Sequence, residues 1–417
     1  MHNRKTKEIA IACVGVVVIF TAFVVWINIA NAPVVYNAPP RPVLPNPNAY
    51  DTYVRAAKSL VYTDKIGEAN RYNSAEKKAI IKANTKALSV FREGLIQDFS
   101  LQFPDRHVWP EYGQLRGLSR AVSLEAFVYK ESGENCRSMM TSLDGLEMGI
   151  DTAKGGNLIA GLVSIAIQAI VRRNVWPTVD LLNLQETYKA IKRLDGLITQ
   201  TVSYKSVMQI EMYDSLSSCE ELLNSSDWRN QLSHPYMLAG SGTKFKEYAD
   251  HALEYTKTLG MTRRGLFTGI YNDYSKLIAA SDLPYADFVM VKIPVSNQIS
   301  EMVIPDLGQS RFKFEYNRCM NDLLLLQLAL HAYKLEHNKY PVNLSDFAPE
   351  YLKFIPLDPF SRGAKYKYRL TSDGYTLYSL GPDLKDDGGK AAFHPGYPNR
   401  WFVDYESKGD IVAGYNQ

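Results

Sequence analysis

With 417 residues, the chain is long enough to bury a large core and to hold two or three domains. Its 47 basic and 44 acidic side chains nearly balance, so it offers no general electrostatic case for nucleic acid, and none is expected as a partner. The 27 tyrosines come with no stacking motif and read as sheet faces and helix-packing surfaces.

In chain order, the first feature is an uncharged run from Ile9 to Ala30 in which only Thr21 and Asn28 are polar, long enough to span a bilayer as a helix. Arg4, Lys5 and Lys7 precede it, and no Lys or Arg follows until Arg41. The positive-inside rule therefore puts the N-terminus in the cytoplasm and the remainder outside. The localisation expected is the inner (cytoplasmic) membrane, single-pass, with the C-terminus extracytoplasmic. A cleaved signal peptide is the competing reading, because Ala30-Asn31-Ala32 resembles a small-residue cleavage site.

Six prolines between Pro33 and Pro47 favour extended polyproline geometry and predict a semi-rigid spacer. From Ala49 to Leu283 the pattern is mainly helical. One stripe runs Ile80, Ala83, Ala87, Val90 and Phe91, a second Leu115, Leu118, Val122, Ala126 and Tyr129, and a third Met139, Leu143, Leu146 and Ile150. The last two flank Gly133 and predict a helical hairpin, with no repeat at a fixed period. Leu158 to Val171 is a second uncharged run, short for a membrane and suited to a helix buried all round; a second membrane pass is the lesser alternative and would move the C-terminal module to the cytoplasm. Further helices are expected at Leu181–Leu197, Phe245–Leu259 and Leu266–Ile278, with loops at 233–235 and 240–242. Phe288 to Ile304 reads as a linker.

A search for chemistry returns little. Cys136, Cys219 and Cys319 are far apart and form no Cys-x-x-Cys; a Cys136 to Cys219 bridge is open to a chain outside the cytoplasm, and Cys319 reads as a small buried residue. No His-x-x-x-His, nucleophile elbow or phosphate loop is present. Glu220-Glu221 lacks a partner at defined geometry and reads as a solvated helix face rather than an acid–base pair. No enzyme is expected; an unrecognised hydrolase in the helical region is the distant alternative.

The most specific stretch lies between Phe312 and Gly389. Phe312, Tyr316, Cys319, Leu323, Leu326, Leu330 and Tyr333 recur at steps of four and three along a helix of about 25 residues. Asn338 suits a left-handed cap, and Tyr340-Pro341 stops the helix. Asn343 to Phe347 opens a short helix, and Pro349, Pro356 and Pro359 divide the next stretch into turns. Tyr366, Tyr368 and Leu370 alternate up to Asp373-Gly374, and Tyr375, Leu377 and Ser379 alternate after it, which predicts a β-hairpin. Gly381 to Gly389 then gathers three acidic residues.

The run from Ala329 to Lys334, Lys339-Tyr340-Pro341, Leu357-Asp358-Pro359 and Tyr375 through Asp383 together resemble the C-terminal half of type II secretion major pseudopilins. The resemblance covers about 100 residues and implies a helix packed on a small antiparallel sheet, with a calcium ion pinning the loop after the hairpin. It also implies, as the alternative to a general envelope-interaction role, a component of a type II secretion or pilus-like machine. A pseudopilin carries this helix as the continuation of its N-terminal membrane helix behind a Gly-Phe type processing site. Here the membrane segment lies far upstream, and Lys7-Glu8-Ile9-Ala10 has no such junction, which argues against a filament subunit.

As a calcium loop, Asp383, Asp387 and Gly388 match positions one, five and six of the EF-hand pattern. Lys385 replaces the ligand at three, and His394 stands where a glutamate belongs, so this is no EF-hand. The resemblance implies Asp383 as a ligand. The family's second acidic ligand falls at Lys390, so Asp386 or Asp387 would take its place; Asp410 would return from the closing segment, and the Leu380 carbonyl would complete the shell. The plain alternative is a solvated acidic turn.

The expected architecture is thus mainly α with a C-terminal α+β module: a cytoplasmic tip and transmembrane helix (1–32), a Pro-rich linker (33–48), an α-helical extracytoplasmic domain (49–304) and a pseudopilin-like domain (305–417). The expected partners are the membrane, through the N-terminal helix, and a protein at the cell envelope.

Overall fold

The computed structural model describes residues 2–37, 39–40, 43–101, 111–233, 260–292, 295–304, 307–396 and 403–414, and within these every side chain except those of 2–13, 298, 302 and 307. The helix expected at Phe245–Leu259 and the loops at 234–235 and 240–242 lie outside the described residues. The described chain is mostly helical with one small antiparallel sheet. It divides into two units. One comprises Met1–Pro40, Met212–Ala279 and Ile293–Pro305; the other comprises Arg41–Glu211, Ala280–Lys292 and Asp306–Gln417.

The helices are, in chain order, α1 (His2–Ala30), α2 (Ala49–Lys58), α3 (Thr63–Gly67), α4 (Ser74–Ala83), α5 (Thr85–Gly94), α6 (Tyr112–Glu131), α7 (Asn135–Thr152), α8 (Leu158–Arg172), α9 (Leu184–Ile198), α10 (Tyr204–Asn224), α11 (Trp228–Ser233), α12 (Arg263–Ala280), α13 (Tyr285–Phe288), α14 (Gln298–Val303) and α15 (Leu307–His337). The strands are β1 (Lys367–Thr371), β2 (Gly374–Ser379) and β3 (Ile411–Val412).

In the first unit, α1 exposes Val14, Val16, Val17, Val18, Ile19 and Phe20, each more than 60% accessible. The proline-bearing segment after it is tied down at its start. Val34 donates its N–H to Asn224 Oδ1 at 2.9 Å and receives the Asn224 amide on its carbonyl at 2.8 Å, and Tyr36 N–H reaches Glu220 Oε1 at 3.2 Å. Glu220 therefore holds backbone rather than lying on a bare solvated face. The linker expected over Phe288–Ile304 contains α14, capped by Asn297 and packed through Ile299 and Ser300. Ser296 donates both its N–H and its hydroxyl to the buried Asp273 of α12. The polar Ser and Asn residues that broke the apolar pattern are thus the ones that anchor this turn to a helix.

In the second unit, the stripe expected from Ile80 to Phe91 is two helices. The break falls at Asn84, whose buried carboxamide accepts Val61 N–H at 2.8 Å and donates to the Val61 and Ile80 carbonyls. Side-chain competition for backbone groups is what interrupts a helix here. The expected hairpin is α6 and α7, joined at Gly133 with φ +76°. At Gly145 and Gly149 a Cβ would lie 2.6 Å from Val171 and 2.7 Å from Gln168, so these two glycines let α7 and α8 approach closely.

The second apolar run, α8, packs one face into this bundle and leaves Ile159 39% accessible, so it is not buried all round as expected. The stretch Leu158–Leu181 is long and apolar enough to cross a membrane by length and composition, and half of it is buried within the fold. Its packed face carries a polar seam. The buried Arg172 donates to Asn317 Oδ1 at 2.7 Å and Asn321 Oδ1 at 2.8 Å, and Gln168 Oε1 accepts from both of those amides at 3.0 Å. Burial pushes the Arg172 guanidinium down to about 10, still charged at neutral pH. The seam fixes the rotation of α8 against α15, because a one-residue slip would strand a buried charge.

Candidate functional site

The C-terminal module is built on α15, whose 31 residues exceed the expected 25. It ends where Asn338 adopts φ +55°, the left-handed cap its sequence called for. Leu323, Leu324, Leu326, Leu328 and Leu330 are all fully buried. Leucines on several sides are covered because α15 has neighbours on several sides: α8 and α9 together with the β-hairpin, in one continuous core running from Met139 to Ile411. β1 pairs antiparallel with β2, from Lys367 opposite Tyr378 to Thr371 opposite Gly374, and β3 pairs with the other edge of β2 through Tyr378–Val412 and Ser379–Ile411.

Two buried carboxylates hold the sheet in place, one from the turn before it and one from the helix. Asp358 accepts Phe360 N–H at 2.9 Å, Ser379 Oγ–H at 2.7 Å and Leu380 N–H at 3.0 Å, so it clamps the exit of β2 to the Asp-Pro turn. Asp322, on α15, accepts the Tyr366 hydroxyl at 3.0 Å, with Arg318 at 3.7 Å. Burial raises Asp322 to about 7, which the partly exposed Arg318 and the Tyr366 hydroxyl oppose and Glu315 and Asp358 reinforce.

Because the folded-state pKa of Asp322 lies above that of the unfolded chain, the folded protein takes up the proton first as pH falls. Stability should therefore rise as pH is lowered from about 7 toward 4, by at most about 1.4 kcal/mol per unit. Asp322→Asn should flatten that slope in thermal melts taken between about pH 5 and 8. An unchanged slope would assign the dependence elsewhere.

The acidic loop follows the clamp, and its backbone is tied to the closing segment at Asp410. Asp410 is fully buried at the start of β3 and accepts Gly389 N–H at 2.7 Å and Asp387 N–H at 3.3 Å. Asp383 accepts Gly409 N–H at 3.4 Å and Lys385 N–H at 3.3 Å. Asp386 is taken by the Tyr378 hydroxyl at 2.9 Å, Gly388 N–H at 3.1 Å and Lys367 at 3.0 Å. Among the described residues the Asp387 carboxylate enters through its repulsion of Asp410, and Leu380 contributes its N–H to Asp358. Burial, with Asp386 and Asp387 nearby, pushes the Asp410 carboxyl up to about 6. Two glycines permit the close approach: a Cβ on Gly381 would lie 2.3 Å from the Gly409 carbonyl, and one on Gly409 2.9 Å from that of Lys390.

The donor set is all oxygen, the kind that suits a hard divalent cation, and Asp410 is a buried carboxylate with no Lys or Arg partner among the described residues. Among the described residues, however, no three His, Cys, Asp or Glu side chains converge as a ready-made metal cage. The residues fit calcium in chemistry, with Asp386 already engaged by Lys367. Cys136, Cys219 and Cys319 are free thiols.

Sequence reasoning missed Asp322 and gave Asp358 only a turn. The available signals were a lone carboxylate inside the apolar face of α15 and an aspartate two residues before a backbone N–H it can cap.

The chain is 29% identical over 116 residues to type II secretion system core protein G of Aeromonas hydrophila, covering 23% of this chain and 78% of that protein. It is 28% identical over 116 residues to the same-named protein of Pectobacterium carotovorum subsp. carotovorum, with 23% and 72% covered. Against that of Vibrio cholerae serotype O1, it is 27% identical over 118 residues, with 24% and 80% covered. No family model matches the chain, and no solved structure matches it. The similarity is partial and distant, and it defines a pseudopilin-like region within a longer, mostly helical chain.

Proposed function

We propose that the chain is a non-enzymatic, membrane-anchored interaction protein of a type II secretion or pilus-like machine, presenting its pseudopilin-like module to a protein partner outside the cytoplasm. The observation that carries this is the module itself: a long helix, an antiparallel hairpin and a closing strand, in a chain similar to core protein G over about three quarters of that protein's length. The exposed apolar face of α1 supports the anchor, since contiguous apolar surface of this kind marks a membrane or a partner. The module's helix begins at Leu307 whereas α1 ends at Ala30, so the two do not form the single continuous helix of a filament subunit. A role beside the filament fits this arrangement better than a role within it. A reporter fused after Gln417 should be active outside the cytoplasm, and the mature protein should retain residues 1–32; a cytoplasmic reporter overturns the orientation. The functional test is export. Removing this chain from a cell that makes it should lower secretion of the machine's exported proteins, and unchanged export argues for an envelope role unconnected with secretion.

Calcium belongs to the same proposal. Asp383, Asp387 and Asp410, with the Leu380 carbonyl and Asp386 at the margin, would hold it, and the ion would supply the positive charge that the buried Asp410 lacks. Calcium at a hundredfold above its dissociation constant should then stabilise the protein by about 2.7 kcal/mol. Asp410→Asn and Asp383→Ala should each remove the shift. A melting temperature indifferent to both calcium and chelator would leave the loop held by its hydrogen bonds alone.

A further inference from the structure

Away from the acidic loop, in the helical part of the second unit, α4, α6, the segment after α3 and the end of α8 enclose an open cleft of about 570 Å3. Three cations line it from three different elements: Lys77 from α4, Arg120 from α6 and Arg173 from the end of α8. Among the described residues no acidic side chain lines it, although the chain as a whole carries nearly as many acids as bases. Among the described residues, Lys77 and Arg120 enter no ion pair; Lys77 lies over the face of Phe127 at 4.3 Å from the ring centre. Arg120, Ser123, Leu124 and Phe127 follow one another at helical spacing on a single face of α6, so one strip of that helix supplies both charge and an apolar wall.

One feature opposes an anion. The carboxyl end of α8 lies at the cleft, and a helix C-terminus carries about half a negative charge. That charge is partly met by Ser123 Oγ, which donates to the Ile170 carbonyl at 3.2 Å, and it is small against the full positive charges of Lys77 and Arg120. Asn70 and Asn174 add amide groups at the rim; the Asn174 amide is already turned to the Ser123 carbonyl at 2.7 Å and hydroxyl at 2.8 Å.

We propose that this cleft binds a phosphomonoester whose apolar portion rests against Leu124 and Ile170, with Lys77 and Arg120 at the phosphate and Arg173 lining the same cleft. A phosphomonoester carries about 1.5 to 2 negative charges at neutral pH, which Lys77 and Arg120 can match without help from a metal. The phosphate belongs either to a soluble small molecule or to a lipid headgroup. The recognition chemistry is the same for both, and the inference stands apart from the secretion proposal.

The test uses the full chain in neutral detergent and follows phenyl phosphate binding by calorimetry and thermal shift. Lys77→Gln and Arg120→Gln should each weaken binding about tenfold, as the loss of one charge-assisted contact does. Both side chains reach solvent, so folding should survive, and equal melting temperatures of the free variants confirm it. Lys78→Gln, on the same helix but outside the cleft, should leave binding unchanged. Displacement of phenyl phosphate by glycerol 3-phosphate supports a soluble ligand. Displacement by phosphatidic acid in mixed micelles, with no effect of glycerol 3-phosphate, supports a headgroup. No binding of phenyl phosphate at millimolar concentration, or equal losses in Lys78→Gln and Arg120→Gln, overturns the proposal.

Discussion

Asp358→Ala should destabilise the protein by roughly 3 to 5 kcal/mol, the range seen when one partner of a buried polar cluster is removed and the others are left unsatisfied. The loss strands the N–H groups of Phe360 and Leu380 and the Ser379 hydroxyl, all within 3.0 Å of that one carboxylate. Burial pushes the Asp358 carboxyl above the usual carboxylate range while the three donors pull it down, so its free energy is a balance of large opposing effects. Removing the acceptor deletes the favourable side and keeps the desolvated donors. Ser379→Ala removes one donor to Asp358 and the acceptor of the Gly381 N–H, and should cost less, about 1 to 2 kcal/mol. Chemical denaturation of the whole chain measures both. Equal small losses for the two variants would show that the turn is held by its prolines rather than by the clamp.

Leu326→Ala should cost about 2 to 5 kcal/mol. Leu326 is fully buried mid-helix, and α15 is enclosed by α8 and α9 as well as by the hairpin, which limits collapse around a cavity. The full chain is the right object for this measurement, because a fragment containing only the module would expose the faces of α15 that α8 and α9 cover. A loss below about 1 kcal/mol would mean that the core relaxes around the site.

The parts of the module legible in the sequence were those with local causes. The step of four and three along α15, the left-handed Asn338 and the alternation on either side of Asp373-Gly374 each arise within a few residues, and each appears where expected. The parts that could not be read depend on distant partners. The break at Asn84 is made by Val61, twenty-three residues away, and the seam of Arg172, Gln168, Asn317 and Asn321 joins segments about 150 residues apart. Asp410 could be named from its resemblance to a closing segment, but its burial beside Asp386 and Asp387 is a property of the folded sheet. The basic cleft is likewise invisible in a chain of net charge +3, because its selectivity comes from where the cations converge and not from their number.

As proposed above, the module of α15 and the three-stranded sheet would dock on a subunit of a secretion or pilus-like machine. Purification of the full chain from its own membranes in mild detergent, with quantitative identification of the proteins that accompany it, tests this most directly. Secretion-machine subunits, pseudopilins among them, should be enriched with the parent chain and lost with Asp358→Ala, while α1 keeps both forms in the membrane fraction. Enrichment of no secretion-machine subunit with the folded parent chain would contradict it.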